Sequence, residues 1–183
     1  VPTGDVGIGP LFPRVKDRLP QVLAEQRKGW KYPIKTPMDN HYQAASQATG
    51  VPFRLLRAMS FRESEHDPNA VSTVKKGHAR AGQKDRGLFQ MAPGTARSMG
   101  LTVEKGNDER LDPAKNALAG AKYIKGLIDR YNGNTRLALL AYNWGPGNTD
   151  RQIRAIRAGT AKKNFPLVSR NYARWIMAMA NHD

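Results

Sequence analysis

The 183-residue chain contains no cysteine, which excludes a disulfide-stapled scaffold, thiol catalysis and cysteine-ligated zinc. Its four histidines are scattered and show no HExxH spacing, so neither a metal site nor a cofactor is expected. No run approaches the roughly 20 apolar residues that span a bilayer. No basic segment followed by an apolar stretch marks a signal peptide. The chain opens at Val1 rather than Met, and the expectation is a processed protein or a piece of a larger one. Acids are scarce: 15 Asp and Glu, only five of them Glu, stand against 30 Lys and Arg, for a net charge of +15. Any chemistry that needs a glutamate therefore has few candidates.

A surplus of this size implies an anionic partner: nucleic acid, anionic lipid or an acidic polymer such as cell wall. Hydrophobic residues make up 39%, enough for one compact core at this length.

Six of the twelve prolines lie in residues 1–37, which reads as an arm or linker with one short helix after Pro20, through Val22, Leu23 and Gln26. From residue 38 to 183 the signals are helical. A helix over 38–49 stops at Gly50. A second runs from Phe53 to Glu65, with Pro52 at its start and Asp67-Pro68 beyond its end. A short one lies between Pro93 and Gly100. Asp112 caps a long helix whose face is Ala117, Ala121, Ile124, Ile128 and Tyr131, stopped at Gly133. Thr135 is the expected cap of the next, to about Asn143. Two more are expected over 150–158 and 169–181. Between Thr73 and Arg86, TVKKGHARAGQKDR forms a basic loop of a length that is usually functional or disordered. The fold class is mainly α, with at most a small β-hairpin within 70–90.

Glu63 lies seven residues after Leu56 and four after Met59, on the helix face that should turn inward. Burial raises the pKa of a carboxyl group, and a carboxyl that stays protonated near neutrality can serve as a general acid. By spacing alone, a structural hydrogen-bond acceptor is the commoner use for such a residue. Glu65 points elsewhere and should be solvated.

The order of the blocks around it adds more. ESEHDPNAVS (63–72), GLFQMAPGTARSMGL (87–101), LDPAKNALAGAKYI (111–124) and ALLAYNWGPGN (138–148) succeed one another. This succession resembles the soluble lytic transglycosylase domain of the family 1 lytic transglycosylases, with its ES, NPxAxS, GLMQ, DPxxN and AYNxGPG blocks. SRNYARWI (169–176) is similar to the family's closing RNY segment. The opening helix, DERLDP and RNY stretches resemble in particular the transglycosylase domains of phage internal virion proteins. The resemblance covers about residues 40–175 and implies a lysozyme-like fold of the goose-type and lytic transglycosylase kind.

What the resemblance implies for function is cleavage of peptidoglycan between N-acetylmuramic acid and N-acetylglucosamine, leaving 1,6-anhydro ends, with no cofactor. Glu63 would be the sole acid and base, the substrate's acetamido group stabilising C1. Ser72 would hydrogen-bond near the acid, Gln90 contact the sugar, Tyr142 orient the Glu63 carboxyl with Asn143 beside it, and Tyr172 close the cavity wall. The protein would act as a monomer at the periplasmic cell wall, as a phage endolysin or virion-associated lysin with antimicrobial action.

Two departures from the family pattern stand out: the basic loop ahead of GLFQ, and Met91-Ala92 in place of the usual pair before the proline. The loop brings in Asp85, which as a second carboxylate would activate water, as in goose-type muramidases, and give hydrolysis instead. The other use of Asp85 is pairing with Lys84 or Arg86. Arg151, Arg154 and Arg157 recur at helical spacing and form a basic stripe suited to anionic envelope polymers or lipopolysaccharide. A nucleic-acid-binding module or an inactive structural virion component is the rival class. Nucleic acid is not the expected partner, since charge is its only support.

Overall fold

The computed structural model describes residues 35–75 and 77–181. The short helix expected after Pro20, and most of the arm, lie outside them. The chain divides after Lys125 into two compact units, and among the described residues there are seven α-helices and two small hairpins.

The first unit opens with α1 (Asp39–Thr49) and α2 (Phe53–Ser64). Thr36 Oγ1 accepts from the Met38 amide and Asp39 from that of Thr36, while the Asp39 amide donates to Thr36 O, so the lead-in to α1 is held by bonds within the segment. Gly50, at φ 76°, ends it. The two helices pack together through Tyr42 and Ala45 on one side and Leu55, Leu56 and Met59 on the other, all buried. Arg57, buried on α2, donates to Asp39 and lies 4.6 Å over the Phe53 ring.

Beyond α2 come β1 (Val71–Thr73) and β2 (Lys84–Arg86), antiparallel with Ser72 opposite Asp85. This is the hairpin expected within 70–90. Next come α3 (Pro93–Ser98), a second hairpin of β3 (Val103–Glu104) and β4 (Asn107–Asp108), and a 3₁₀ turn over Glu109–Leu111. The second hairpin corrects the expectation of one at most. Strands of two residues are too short to show an alternation, although Gly106 at φ 83° marks their turn. The long helix α4 (Pro113–Arg130) starts as Asp112 dictates, its Oδ1 accepting from the Lys115 amide. Ala117, Ala121, Ile124 and Tyr131 are buried as the periodicity requires; Leu127 is buried too, and Ile128 only half.

The second unit holds the end of α4, then α5 (Thr135–Trp144), α6 (Pro146–Arg157) and α7 (Leu167–Ala180). The cap of α5 is Asn134, not Thr135: its Oδ1 accepts from the Leu137 amide at 2.9 Å, and an Asn caps at least as well as a Thr. α6 begins four residues before the expected 150. Gly145-Pro146-Gly147 reads as a breaker, but Pro146 occupies the first helical turn, where its missing N–H costs nothing. α5 packs on α6 and α7. Leu137, Leu139, Leu140, Phe165 and Ile176 are fully enclosed, each worth about 1.5–3 kcal/mol of transfer free energy. Phe165 meets Trp144 edge-on at 6.1 Å.

One close approach on α4 allows a direct test. A Cβ on Gly120 would lie 2.5 Å from Phe89 Cγ, whereas one on Gly126, on the same helix, would meet nothing. Alanine gains about 1 kcal/mol of helix propensity at either site, but overpacking costs about 1–3 kcal/mol or more. Gly120→Ala should therefore lower the urea-unfolding midpoint and Gly126→Ala should raise it. Equal shifts in the two variants would contradict the packing.

Candidate active site

Glu63 stands in the last turn of α2, half-buried, on a helix whose inward residues Leu56 and Met59 are fully enclosed. The helix ends in an uncommon way. Glu65 and His66 are consecutive non-glycine residues at φ 53° and 65°, a backbone state costing roughly 1–2 kcal/mol per residue. Glu65 closes the helix by donating its amide to Phe61 O at 2.9 Å. The His66 side chain is 8% exposed. Its Nδ1 lies 2.8 Å from the Tyr42 hydroxyl, which lies 2.6 Å from Ser60 Oγ. The ring packs against Tyr42 and Phe61 at 5.5 and 5.6 Å.

Gln90 sits in a loop closed on itself: Arg86 and Met91 exchange backbone hydrogen bonds at 3.0 and 3.2 Å around Gly87–Gln90. Gly87 is at φ 82°, and a Cβ there would lie 2.1 Å from Arg110 O and 2.3 Å from Asn116 Nδ2, so only glycine fits. Gln90 is itself left-handed, at φ 46°. Its Nε2 donates to Ala70 O at 3.0 Å and Gly87 O at 2.9 Å, and that donor pair fixes which end of the amide is nitrogen. Its Oε1 is buried and has no hydrogen-bond partner among the described residues.

Three sets of side chains position this loop. Asn116 accepts from the Phe89 amide and donates to Arg86 O and Arg110 O. Arg110, 4% exposed, donates to Lys84 O at 2.7 Å and Met91 O at 3.0 Å while two further N–H groups reach Asp108. Those Arg110 hydrogen bonds hold the Asp108 carboxyl below its ordinary range. Ser64 Oγ donates to Leu88 O at 2.9 Å, joined by Ser60 at 3.3 Å. The helix end that carries Glu63 is thereby tied to the residue two before Gln90.

Ser72 is exposed on β1, directly across from Asp85. Asp85 pairs with Arg80, at 2.9 Å through Oδ1 and 3.5 Å through Oδ2. Neither Lys84 nor Arg86 is that partner: Lys84 adjoins it in a strand and so points to the other face, and Arg86 lies 3.6 Å from Asp108. In the second unit, Tyr142 is half-buried near the end of α5. Asn143 accepts from Ser169 Oγ at 2.8 Å, linking α5 to α7, and Tyr172 is buried one turn further along α7. Arg151, Arg154 and Arg157 are exposed along α6. Arg154 and Arg157 line a cavity of about 290 Å³ with Arg130 and Asp150.

The structure thus draws Glu63, Gln90 and the Ser72–Asp85 hairpin together through short links. The parts that sequence reasoning missed are the supports: Arg110, Asn116, His66, Tyr42 and Ser60. Only Asn116 carried a visible signal, as the final residue of the DPxxN block.

His66 gives a pH test. Burial pushes its pKa down to about 4, against the raising influence of Asp39 and with help from Arg57. A histidine depressed in the fold loses stability on acidification, because the unfolded chain takes up the proton first. Its full contribution is present above the unfolded value of 6.5, and about 2–3 kcal/mol is lost by pH 4.5. Urea unfolding at pH 7 and 4.5 should show a steeper loss in the wild type than in His66→Phe. Parallel losses would place the ring in solvent.

The family described as Transglycosylase SLT domain matches residues 40–165. The peptidoglycan transglycosylase gp16 of Escherichia phage T7 is 34% identical over 152 residues, which is 80% of this chain and 10% of that protein. Among solved structures, the 70 kDa soluble lytic transglycosylase SLT70 of Escherichia coli superposes with a TM-score of 0.64 at 20% identity, over 88% of this chain and 26% of its own. An inactive mutant of lytic transglycosylase Slt from Pseudomonas aeruginosa, with Gln in place of a Glu, gives a TM-score of 0.61 at 22% identity, over 85% and 26%. The chain spans a tenth of the phage protein and about a quarter of each solved one. The likeness in structure establishes a mainly α, lysozyme-like fold. The match over more than half its length establishes the rest: this chain belongs to the transglycosylase SLT domain family.

Proposed function

We propose that residues 38–183 form a lytic transglycosylase domain that breaks the β-1,4 bond between N-acetylmuramic acid and N-acetylglucosamine in peptidoglycan. The observation that carries this reading is the linkage of the Glu63 helix end to a loop that presents a buried, unpartnered carbonyl at Gln90. A buried acceptor in that state is costly, and a sugar hydroxyl or acetamido N–H would satisfy it. The Pseudomonas Slt that loses activity when a Glu becomes Gln supports a glutamate as the essential group.

In this reading protonated Glu63 gives its proton to the glycosidic oxygen, the C1–O bond breaks, and the N-acetylglucosamine end leaves. The acetamido oxygen of the substrate stabilises C1 in place of a protein nucleophile. Ionised Glu63 then takes the proton of the muramic C6 hydroxyl, whose oxygen closes on C1. The 1,6-anhydro ring forms, Glu63 is protonated again, and no water is consumed. Ser72 and Gln90 bind the glycan beside Glu63, and the family resemblance assigns Tyr142, Asn143 and Tyr172 to substrate binding as well.

Hydrolysis through Asp85 is the weaker reading, because Arg80 engages both oxygens of that carboxylate, at 2.9 and 3.5 Å. Replacing Glu63 by Gln should reduce release of soluble muropeptides at least a thousandfold while preserving the circular dichroism spectrum; the order of magnitude is that of losing the one general acid. Asp85→Asn should stay within a few-fold of the wild type. Mass spectrometry should find anhydro-muropeptides, and reducing ends that disappear in Asp85→Asn would overturn the mechanism.

The substrate puts the site of action at the periplasmic cell wall, and the T7 relative favours a phage particle as the source. The protein works as a monomer. The exposed Arg151, Arg154 and Arg157 stripe on α6 adds attraction to anionic envelope polymers or lipopolysaccharide. Binding to wall fragments should weaken severalfold between about 20 mM and 0.5 M salt, as the Debye length shrinks to a few ångströms. Replacing all three arginines by alanine should flatten that dependence. Salt-insensitive binding by the intact protein would dismiss the stripe.

A further inference from the structure

We infer that the buried chain of His66, Tyr42 and Ser60 positions the Glu63 carboxyl against the Gln90 loop, which makes His66 a positioning residue of the reaction. The inference rests on the reading of Glu63 as the acid and base.

The anchor of this chain lies on α1. Ser60 stands three residues before Glu63 and His66 three residues after it. Both reach the same hydroxyl on a different helix, that of Tyr42 on α1. Tyr42 has no exposed surface, so the anchor cannot shift without moving α1. The peptide carrying Glu63 is therefore pinned on both sides to one buried atom. Between the pins the backbone reverses through Glu65 and His66 in the left-handed region. Without a side chain fixed beyond it, that reversal would relax toward ordinary helix geometry and swing the last turn of α2. The His66 ring, seated between Tyr42 and Phe61, prevents this.

The second link runs forward. Ser60 and Ser64 both direct their hydroxyls to Leu88 O, and Leu88 lies inside the closed loop that holds Gln90. The same chain that fixes the Glu63 turn thus also fixes its register against the sugar-facing amide. The charges around the ring come from Asp39 on α1 and Arg57 on α2, paired with each other. Burial of the ring, more than those two charges, keeps His66 a neutral member of the chain. With its proton on Nδ1, His66 donates to the Tyr42 hydroxyl, Tyr42 donates to Ser60 Oγ and Ser60 donates to Leu88 O, so each hydrogen is used once and the chain has a single consistent order. Phenylalanine and leucine would fill this space with no polar group to satisfy. A polar chain adds what they do not: a unique geometry.

The test compares Tyr42→Phe, His66→Phe, their double variant and His66→Asn with the wild type and Glu63→Gln. Steady-state rates are measured on soluble, uncrosslinked glycan strands at a temperature where near-ultraviolet circular dichroism shows each variant folded. Tyr42→Phe and His66→Phe should each lower kcat tenfold to a hundredfold, the range expected from displacing a catalytic group by about an ångström. KM should stay within about twofold, as for a group that acts on the transition state alone. The double variant should be no slower than the slower single. His66→Asn, which tolerates the left-handed backbone and offers Nδ2 to Tyr42, should recover most of kcat. Should His66→Phe fail to fold, Tyr42→Phe and Ser60→Ala, each missing one oxygen, carry the same prediction. Folded variants that lose thermal stability yet keep wild-type kcat would overturn the inference, as would losses that multiply in the double variant. An inactive Glu63→Gln beside wild-type rates in Tyr42→Phe and His66→Phe refutes positioning alone. An active Glu63→Gln refutes the acid/base reading beneath it.

Discussion

A loop that turns inside a core must find a partner for every backbone amide and carbonyl it carries there. The segment from Arg86 to Met91 is such a loop, with Gly87, Leu88, Phe89 and Met91 all buried. Its polar groups are answered one by one: Phe89 N by Asn116, Leu88 O by Ser64, Arg86 O by Asn116 and Met91 N, Gly87 O by Gln90, and Met91 O by Arg110. The partners from outside the loop are Ser64 on α2, Arg110 on the 3₁₀ turn and Asn116 on α4. α2, the 3₁₀ turn and α4 can assemble only in the arrangement that brings these groups to the loop at once. A net hydrogen bond contributes about 1 kcal/mol, but an unanswered buried group costs about 1–3, so the constraint acts mainly against alternatives.

The acids follow from the same requirement. Arg110 and Arg57 are buried, and a buried guanidinium without a counterion is far more expensive than a paired one. Asp108 and Asp39 provide those counterions. Asp85 holds Arg80 in the hairpin, Glu109 meets Lys115, and Asp150 binds Arg130 and the Tyr131 hydroxyl. Burial opposes ionisation of Asp150, yet those hydrogen bonds and the nearby arginine charges prevail and its carboxyl titrates low. Among the described residues, four of the seven aspartates, Asp39, Asp85, Asp108 and Asp150, are counterions that fix particular cations in place.

The helices were legible because their ends are chemical: Gly50, Asp67-Pro68 and Gly133 as stops and Asp112-Pro113 as a start each act within one turn. The inward face at Leu56 and Met59 was legible for the same reason, since helical spacing is local. Gly145-Pro146-Gly147 misled because the same residues end one helix and begin another, and only packing decides. The second hairpin left no trace in two-residue strands. Glu63 and Gln90 were visible through their motifs, but Arg110 was not. A basic residue in DERL looks solvated until the carbonyls of Lys84 and Met91, distant in sequence, close over it. His66 was hidden similarly, since Tyr42, which its ring meets, comes from another helix and nothing in ESEHDP announces a buried ring.

Structural pairing also explains where the positive charge goes. Once buried arginines have claimed Asp39 and Asp108, and Asp85 and Asp150 are engaged, few acids remain to neutralise the surface cations. The surplus collects where no acid occurs in sequence, from Arg151 to Arg174, with Arg151, Arg154 and Arg157 exposed on α6. Like charges three or four residues apart on one helix repel by a few tenths of a kcal/mol per pair, a small penalty in the free protein. An anionic surface removes that penalty as it binds. The scarcity of acids and the basic face are therefore one arrangement: the interior takes the carboxylates it needs to pair its arginines, and the outer face is left positive toward whatever polyanion it meets.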